Sequence, residues 1–286
     1  MRTNPHFSSE ECCHLDLHIV DYCQLQCKHC YLRQGSTAMQ MEMVYAICRD
    51  FMSTDLPTLH RRIILNGGDA PLHPDFPEIC KCIREISGSV VFSSNGILIK
   101  DVIHLLRTSD AIQISIDGDQ DTHDCIRGTG NYDVAVEALH LLNEHQIPHS
   151  LSFTIHRENL YCLDHIMDLA IQTKSALLNI NCYSPVIACG LEPISYNDWI
   201  RLKKKARIHL ARYGISVPIG CTETGCIGGI LGVSILPDGT YWDCSRNQKV
   251  IGRYPQKIGD VLDLGKIADG SCKNQFETCL RRIKNE

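Results

Sequence analysis

Three cysteines fall within one short stretch, Cys23, Cys27 and Cys30, in the spacing C-x3-C-x2-C. Thiolates are soft ligands that suit zinc and iron–sulfur clusters. Three of them on one loop can hold three corners of a [4Fe–4S] cubane and leave the fourth iron open to an outside ligand. Zinc is the competing reading, with Cys27-x2-Cys30 as half of a knuckle whose partner pair lies elsewhere. Cys23, a third thiol in the same loop, favours the cluster. A second group of thiols stands toward the other end: Cys221, Cys226 and Cys244, then Cys272 and Cys279. The chain has 17 cysteines in all. Those at Cys48, Cys80, Cys82 and Cys162 sit in helical patterns and read as small buried hydrophobes.

The other residues able to bind a ligand are not scattered either. Apolar alternation and helical periodicity predict strands over 14–20, 61–66, 90–93, 111–116, 149–155 and 176–182. They predict helices over 39–52, 75–86, 99–106, 132–145, 160–172 and 196–213. Each of the first four strands runs directly into a polar or glycine-rich cluster. These are the cysteine loop, Asn66-Gly67-Gly68-Asp69, Ser93-Ser94-Asn95-Gly96 and Ser115-Ile116-Asp117-Gly118. In a parallel α/β array the carboxyl ends of the strands share the face that carries ligands, so the four clusters are expected to converge. Six strand–helix units in succession imply a parallel sheet with right-handed crossovers. Periodicity leaves open whether that sheet is doubly wound or curls toward a barrel. After about residue 216 the texture turns rich in Gly, Cys and turns. Pro237-Asp238-Gly239 predicts a hairpin over 233–242.

Composition narrows the classes. The chain is 286 residues long, 44% hydrophobic and 21% charged, as ordinary globular proteins are. A net charge of −5 speaks against general affinity for nucleic acid. The run Lys203-Lys204-Lys205-Ala206-Arg207 reads as a solvated helix face. No apolar run has the length of a membrane span, and residues 1–11 lack the apolar core of a signal peptide. A cytoplasmic setting with reduced thiols is therefore expected.

The string Cys23-x3-Cys27-x-His29-Cys30-Tyr31 resembles the signature loop of the radical S-adenosylmethionine (SAM) enzymes, and the later clusters match that family in order. Asn66-Gly67-Gly68-Asp69-Ala70-Pro71 resembles its Gly-Gly-Glu-Pro motif, which binds the amino group of SAM. Here Asp69 replaces the usual glutamate, with a shorter reach, and Ala70 is inserted before Pro71. Ser115-Ile116-Asp117-Gly118, followed by Ile126-Arg127-Gly128, resembles the stretch that contacts the ribose and carboxylate of SAM. The resemblance covers about residues 14–215. It implies a partial (β/α)6 TIM-like barrel of the α/β class. It also implies a cluster on Cys23, Cys27 and Cys30, with His29, Gly67, Gly68, Asp69, Ser94, Asn95, Ser115, Asp117 and Arg127 around SAM. Cys226-x12-Gly239-x4-Cys244 resembles the SPASM and twitch domains that carry auxiliary clusters. That likeness implies one auxiliary [4Fe–4S] cluster on Cys221, Cys226 and Cys244, completed by Cys272 or Cys279. The organisation expected is thus an extension over 1–13, a barrel over 14–216 and a small Cys-rich domain with a β-hairpin over 217–286.

The chemistry implied is reductive cleavage of SAM to a 5′-deoxyadenosyl radical that takes a hydrogen atom from the substrate. A reductant such as flavodoxin or ferredoxin would supply the electron. An auxiliary cluster suggests a net oxidation, and the main expectation is modification of a ribosomally made peptide. A barrel expected to start by about residue 14 would leave no room for a peptide-recognition domain before it, which weakens the peptide reading without excluding it. The alternative is a small-molecule dehydrogenase of the aminoglycoside-oxidising kind. Epimerisation is a third expectation, with Cys182 at the end of the sixth strand returning a hydrogen atom. A non-catalytic iron–sulfur or zinc protein is the remote alternative. It would have no use for the SAM motifs.

Overall fold

The computed structural model describes residues 13–32, 35–56, 60–185, 189–219 and 228–263. In chain order the strands are β1 (Cys13–Val20), β2 (Arg61–Gly67), β3 (Val91–Ser94), β4 (Ala111–Ser115), β5 (His149–Ile155), β6 (Leu177–Cys182), β7 (Gly232–Ile235), β8 (Thr240–Trp242) and β9 (Val250–Arg253). The main helices are α1 (Met41–Ser53), α2 (Phe76–Ser87), α3 (Ile99–Val102), α4 (Gln120–Arg127), α5 (Asn131–Glu144), α6 (Leu163–Gln172) and α7 (Tyr196–Leu210). The chain divides into two compact units, neither continuous in sequence. One holds Cys23–Tyr31 and Val91–Pro218, and the other Ser9–Tyr22, Leu32–Val90 and Ile219–Glu286, each in its described residues.

In the first unit the strands lie in the order β6-β5-β4-β3, and every pairing is parallel. This is the arrangement that successive strand–helix units dictate. Its two faces differ sharply. Phe92, Ile112, Ile114, Leu151, Phe153 and Leu178 are fully buried on one side. The alternate positions, beyond Val91, Ala111 and Leu177 at the strand starts, are neutral and polar. Ser93, Gln113 and Ser150 are in register, and so are Ser115, Ser152 and Asn179, then Thr154 and Asn181. Hydrogen bonds cross that face, from Ser93 Oγ to Gln113 Oε1 at 3.3 Å and from Asn181 Nδ2 to Ser152 Oγ at 3.1 Å. A parallel sheet buried on both sides is normally apolar on both, so this second face is built to meet something other than a core.

Helix α4 was not expected from the periodicity. It is a polar segment, and its start is fixed by Asp119, whose Oδ1 accepts the Thr122 N–H at 3.0 Å. The basic run on α7 also needs correction. Lys203 is only 2% exposed, and its ammonium lies 4.7 Å from the centre of the Trp199 ring. An i, i+4 spacing on one helix brings the two together, and the cation–π contact offsets part of the lysine's desolvation. Lys204 and Lys205 are exposed, as a solvated face requires. The helical cysteines Cys48, Cys80, Cys82 and Cys162 are buried.

In the second unit the order is β2-β1-β7-β8-β9. β1 is parallel to both neighbours, and the last three strands form an antiparallel meander. The turn between β7 and β8 is the Pro237-Asp238-Gly239 turn, tightened by Asp238 Oδ1, which accepts the Thr240 N–H at 2.9 Å. β9 was not foreseen. It is short, and Val250 at its start is 60% exposed, so it carries little of an apolar signature. Along β1, Leu15, Leu17 and Ile19 are fully buried. On the alternate face Asp16 Oδ1 accepts from Asn66 Nδ2 of β2 at 3.1 Å.

Candidate active site

The cysteine loop follows β1, and residues 23–31 belong to the first unit. Cys23, Cys27 and Cys30 are all partly exposed and unpaired by disulfides. The loop folds back on itself where the Cys30 N–H meets the Cys27 carbonyl at 3.0 Å. Nitrogen donors already face two of the sulfurs. The Leu25 N–H and Asn95 Nδ2 approach Cys23 Sγ at 3.4 and 3.5 Å, and Arg127 Nη1 stands 3.9 Å from Cys27 Sγ. Such contacts stabilise thiolate once a metal has displaced the proton. Without a metal, burial pushes the Cys27 thiol up, against the opposing pull of Arg127. The donor set therefore fits three corners of a cubane. Among the described residues, no three His, Cys, Asp or Glu side chains gather closely enough for a single ion.

A second element grips this loop from α4. The Lys28 N–H donates to the Ile126 carbonyl at 3.0 Å, and Lys28 Nζ lies 3.1 Å from Cys125 Sγ. The centre of the arrangement is Asp117, fully buried just beyond β4. Its Oδ2 accepts from His29 Nε2 at 2.8 Å and from Arg127 Nε at 2.5 Å. Oδ1 takes the Thr154 N–H at 3.1 Å. The Asp117 N–H donates to His123 Nδ1 at 3.1 Å, and its carbonyl accepts from Asn159 Nδ2 at 2.9 Å. Burial alone would push this carboxyl up. Arg127 and then His29 overturn that and hold it far below the usual carboxylate range. Gly118 is required beside it, because a Cβ there would come within 2.6 Å of Thr122.

The structure thus brings Cys23, Cys27, Cys30, His29, Asn95, Asp117 and Arg127 into one unit and joins them by hydrogen bonds. Ser115 ends β4 next to Ser152. Ser94 Oγ closes a turn by accepting the Gly96 N–H at 3.1 Å, and Asn95 Oδ1 accepts the Ile97 N–H at 2.9 Å. Gly67, Gly68 and Asp69 lie in the second unit, at the carboxyl end of β2. Gly67 has φ +121°, and a Cβ would stand 2.1 Å from the Val20 carbonyl oxygen, so no other residue fits. Asp69 is 1% exposed and begins the short turn Ala70–Leu72. Cys182 closes β6, with its thiol 3.7 Å from the Tyr183 carbonyl. Cys244 accepts the Asn247 N–H at 3.3 Å. Cys221, Cys226, Cys272 and Cys279 lie outside the described residues.

Three residues of this network carry no sequence signal that would have singled them out: His123, Thr154 and Asn159. His156, just beyond β5, carries no such signal either. It is fully buried, and its Nδ1 lies 2.8 Å from Glu158 Oε2. Its Nε2 has no hydrogen-bond partner among the described residues. The ring stands edge-on to Tyr183.

A thiol loop at the end of the first strand, with an arginine–aspartate–histidine group beside it, defines a class of protein. The family model for the radical SAM superfamily matches residues 17–170, more than half of the 286 residues. The chain belongs to that superfamily, whose members use a [4Fe–4S] cluster and SAM. It is similar to an Fe-coproporphyrin III synthase of Methanosarcina barkeri, 26% identical over 261 residues, with 87% of this chain and 61% of that protein covered. It is also similar to the sporulation killing factor maturation protein SkfB of Bacillus subtilis, 28% identical over 293 residues, covering 94% of this chain and 69% of SkfB. Among solved structures, Streptococcus suis SuiB bound to its precursor peptide SuiA superposes with a TM-score of 0.74 at 16% identity. That match covers 90% of this chain and 66% of SuiB. The likeness establishes the fold: a mixed α/β parallel-strand array of the partial-barrel kind, not closed on itself.

Proposed function

We propose that the chain is a radical SAM enzyme that oxidatively modifies a ribosomally made peptide. The observation that carries the cofactor half is the loop of three partly exposed thiols tied through His29 and Arg127 to Asp117. When bound, the cluster and SAM supply a 5′-deoxyadenosyl radical by one-electron cleavage of the sulfonium. The chain's own part is placement. Cys23, Cys27 and Cys30 hold three irons, and Arg127 with Ser115 receives the carboxylate and ribose of SAM. Asp69 takes its amino group, with Gly67 and Gly68 giving the backbone close approach. His29, Ser94 and Asn95 complete the surroundings, and water is kept from the reacting carbon.

The peptide half is supported by the similarity to SkfB, which spans 94% of the chain. The polar sheet face of the first unit supports it too. Ser152, Thr154, Asn179 and Asn181 offer neutral donors and acceptors suited to amides, and β3 to β6 contain no lysine or arginine. A second reading, a tetrapyrrole substrate, is favoured by the similarity to Fe-coproporphyrin III synthase. Carboxylate-bearing macrocycles call for cationic partners, which those strands do not provide. We assign residues 217–286 to a segment holding one auxiliary [4Fe–4S] cluster on Cys221, Cys226, Cys244 and either Cys272 or Cys279. A flavodoxin- or ferredoxin-type protein is the reductant in this reading.

Anaerobic reconstitution tests the proposal. About eight irons per chain in the wild type, falling to about four in a Cys23/Cys27/Cys30→Ala triple variant, is the expected result. The Cys27→Ala variant is expected to release no 5′-deoxyadenosine from SAM. Retained cleavage would remove the assignment of the loop. A Soret shift of iron-coproporphyrin III on mixing, with no peptide-dependent turnover, would decide for the tetrapyrrole.

A further inference from the structure

Asp117 is fully buried and has five hydrogen-bond links among the described residues. Its Oδ1 is occupied by the Thr154 backbone of β5, and its own backbone is held by His123 of α4 and by Asn159. Among the described residues, the side chains that its Oδ2 engages are those of His29 and Arg127. His29 lies inside the cysteine loop, between two thiols, and Arg127 also reaches to 3.9 Å from Cys27 Sγ. A carboxylate this well anchored is a fixed post on which His29 and Arg127 lean. A guanidinium held at Nε by a buried carboxylate keeps its terminal nitrogens aimed outward, in one orientation.

We propose that Asp117 is a positioning residue for the cofactor site, which fixes Arg127 and the cysteine loop in the geometry that accepts SAM without itself touching SAM. The inference deepens the SAM-binding reading above and rests on it. Groups that orient a ligating shell commonly change affinity 10- to 100-fold when lost. Asp117→Asn is close to isosteric. It keeps an oxygen for the Thr154 N–H and leaves both backbone contacts intact. At Oδ2 it replaces an acceptor by an N–H that opposes the donors of His29 and Arg127.

The test titrates SAM into the reconstituted, dithionite-reduced protein and follows the electron paramagnetic resonance signal of the loop cluster. The wild type is expected to respond to SAM. If it does not, the SAM reading itself has failed. Asp117→Asn is expected to load iron as the wild type does, yet to need about 10- to 100-fold more SAM for the same change. In an Arg127→Ala background the same substitution is expected to cost at most a few-fold, because Asp117 acts largely through Arg127. Asp117→Glu retains the charge but moves it by one methylene, and an intermediate weakening of about ten-fold is expected. It also serves if the asparagine variant fails to fold. A wild-type SAM affinity in a cluster-loaded Asp117 variant, or full additivity with Arg127→Ala, would overturn the inference and leave Asp117 a purely structural residue.

Discussion

Replacing Asn159 by alanine probes the support beneath the site. The side chain is fully buried and makes three hydrogen bonds: from Nδ2 to the Asp117 carbonyl at 2.9 Å, from Nδ2 to the Thr154 carbonyl at 3.0 Å, and from the His156 N–H to Oδ1 at 2.8 Å. Each such bond contributes about 1 kcal/mol net, and a buried partner left unsatisfied costs about 1–3 kcal/mol. Three orphaned backbone groups would sum to more. A water entering the vacated space, which offers three polar backbone partners, would lower the cost. The expected loss is about 3 kcal/mol, or roughly 1 M in urea midpoint if the slope is near 3 kcal/mol/M. Asn159→Asp should be at least as damaging, since a carboxylate oxygen would then face two carbonyls that had received N–H groups. Urea unfolding of the cluster-free protein, followed by circular dichroism, measures both. A loss below about 1 kcal/mol for Asn159→Ala would refute the claim that this side chain holds the Asp117 and Thr154 backbones in place.

Further outcomes follow from other residues. Burial holds His18 and His123 down to about 4 in the folded protein, against an ordinary value of 6.5. The unfolded chain therefore takes up protons at higher pH than the folded one. Their contribution is complete above pH 6.5 and is lost as pH falls toward 4, by roughly 3 kcal/mol for each ring. Urea midpoints between pH 7.5 and 5 should fall accordingly, and less steeply in His123→Gln. Cys125→Ala removes an exposed thiol beside Lys28, so iron content and stability should stay within about 0.5 kcal/mol of wild type. A loss of iron there would make Cys125 a ligand. On β5, Phe153→Ala should cost about 3–5 kcal/mol, whereas Ser152→Ala should leave stability within about 1 kcal/mol and weaken turnover instead.

The fold class could be read from the sequence because most of its elements announce themselves locally. Leu15, Leu17 and Ile19 alternate with polar residues, and helical stripes fill the intervals between strands. The cysteine loop was equally legible, since its ligands are neighbours in sequence. Asp117 was visible as part of a strand-end cluster, but its connections were not. Its partners stand at positions 29, 123, 127, 154 and 159, and no local pattern states which of them meet. Helix α4 escaped because Gln120–Arg127 is mostly polar and is specified by its cap rather than by a stripe. Lys203 looked like one of a run of solvated charges because composition cannot tell which of three adjacent lysines lies under a tryptophan.

The strands of the first unit give their residues two separate jobs by parity. Phe153 and its like hold the fold, while Ser152, Thr154, Asn179 and Asn181 do none of that packing. Point substitutions on the polar parity can therefore accumulate over evolutionary time without eroding the core. A lineage can change what it accepts while keeping the same scaffold. Insertion of a single residue into β5 has the opposite character. It would turn every later side chain of the strand to the other face, putting Phe153 where Thr154 now stands. Descent with altered specificity is thus open to this sheet by replacement and closed to it by insertion.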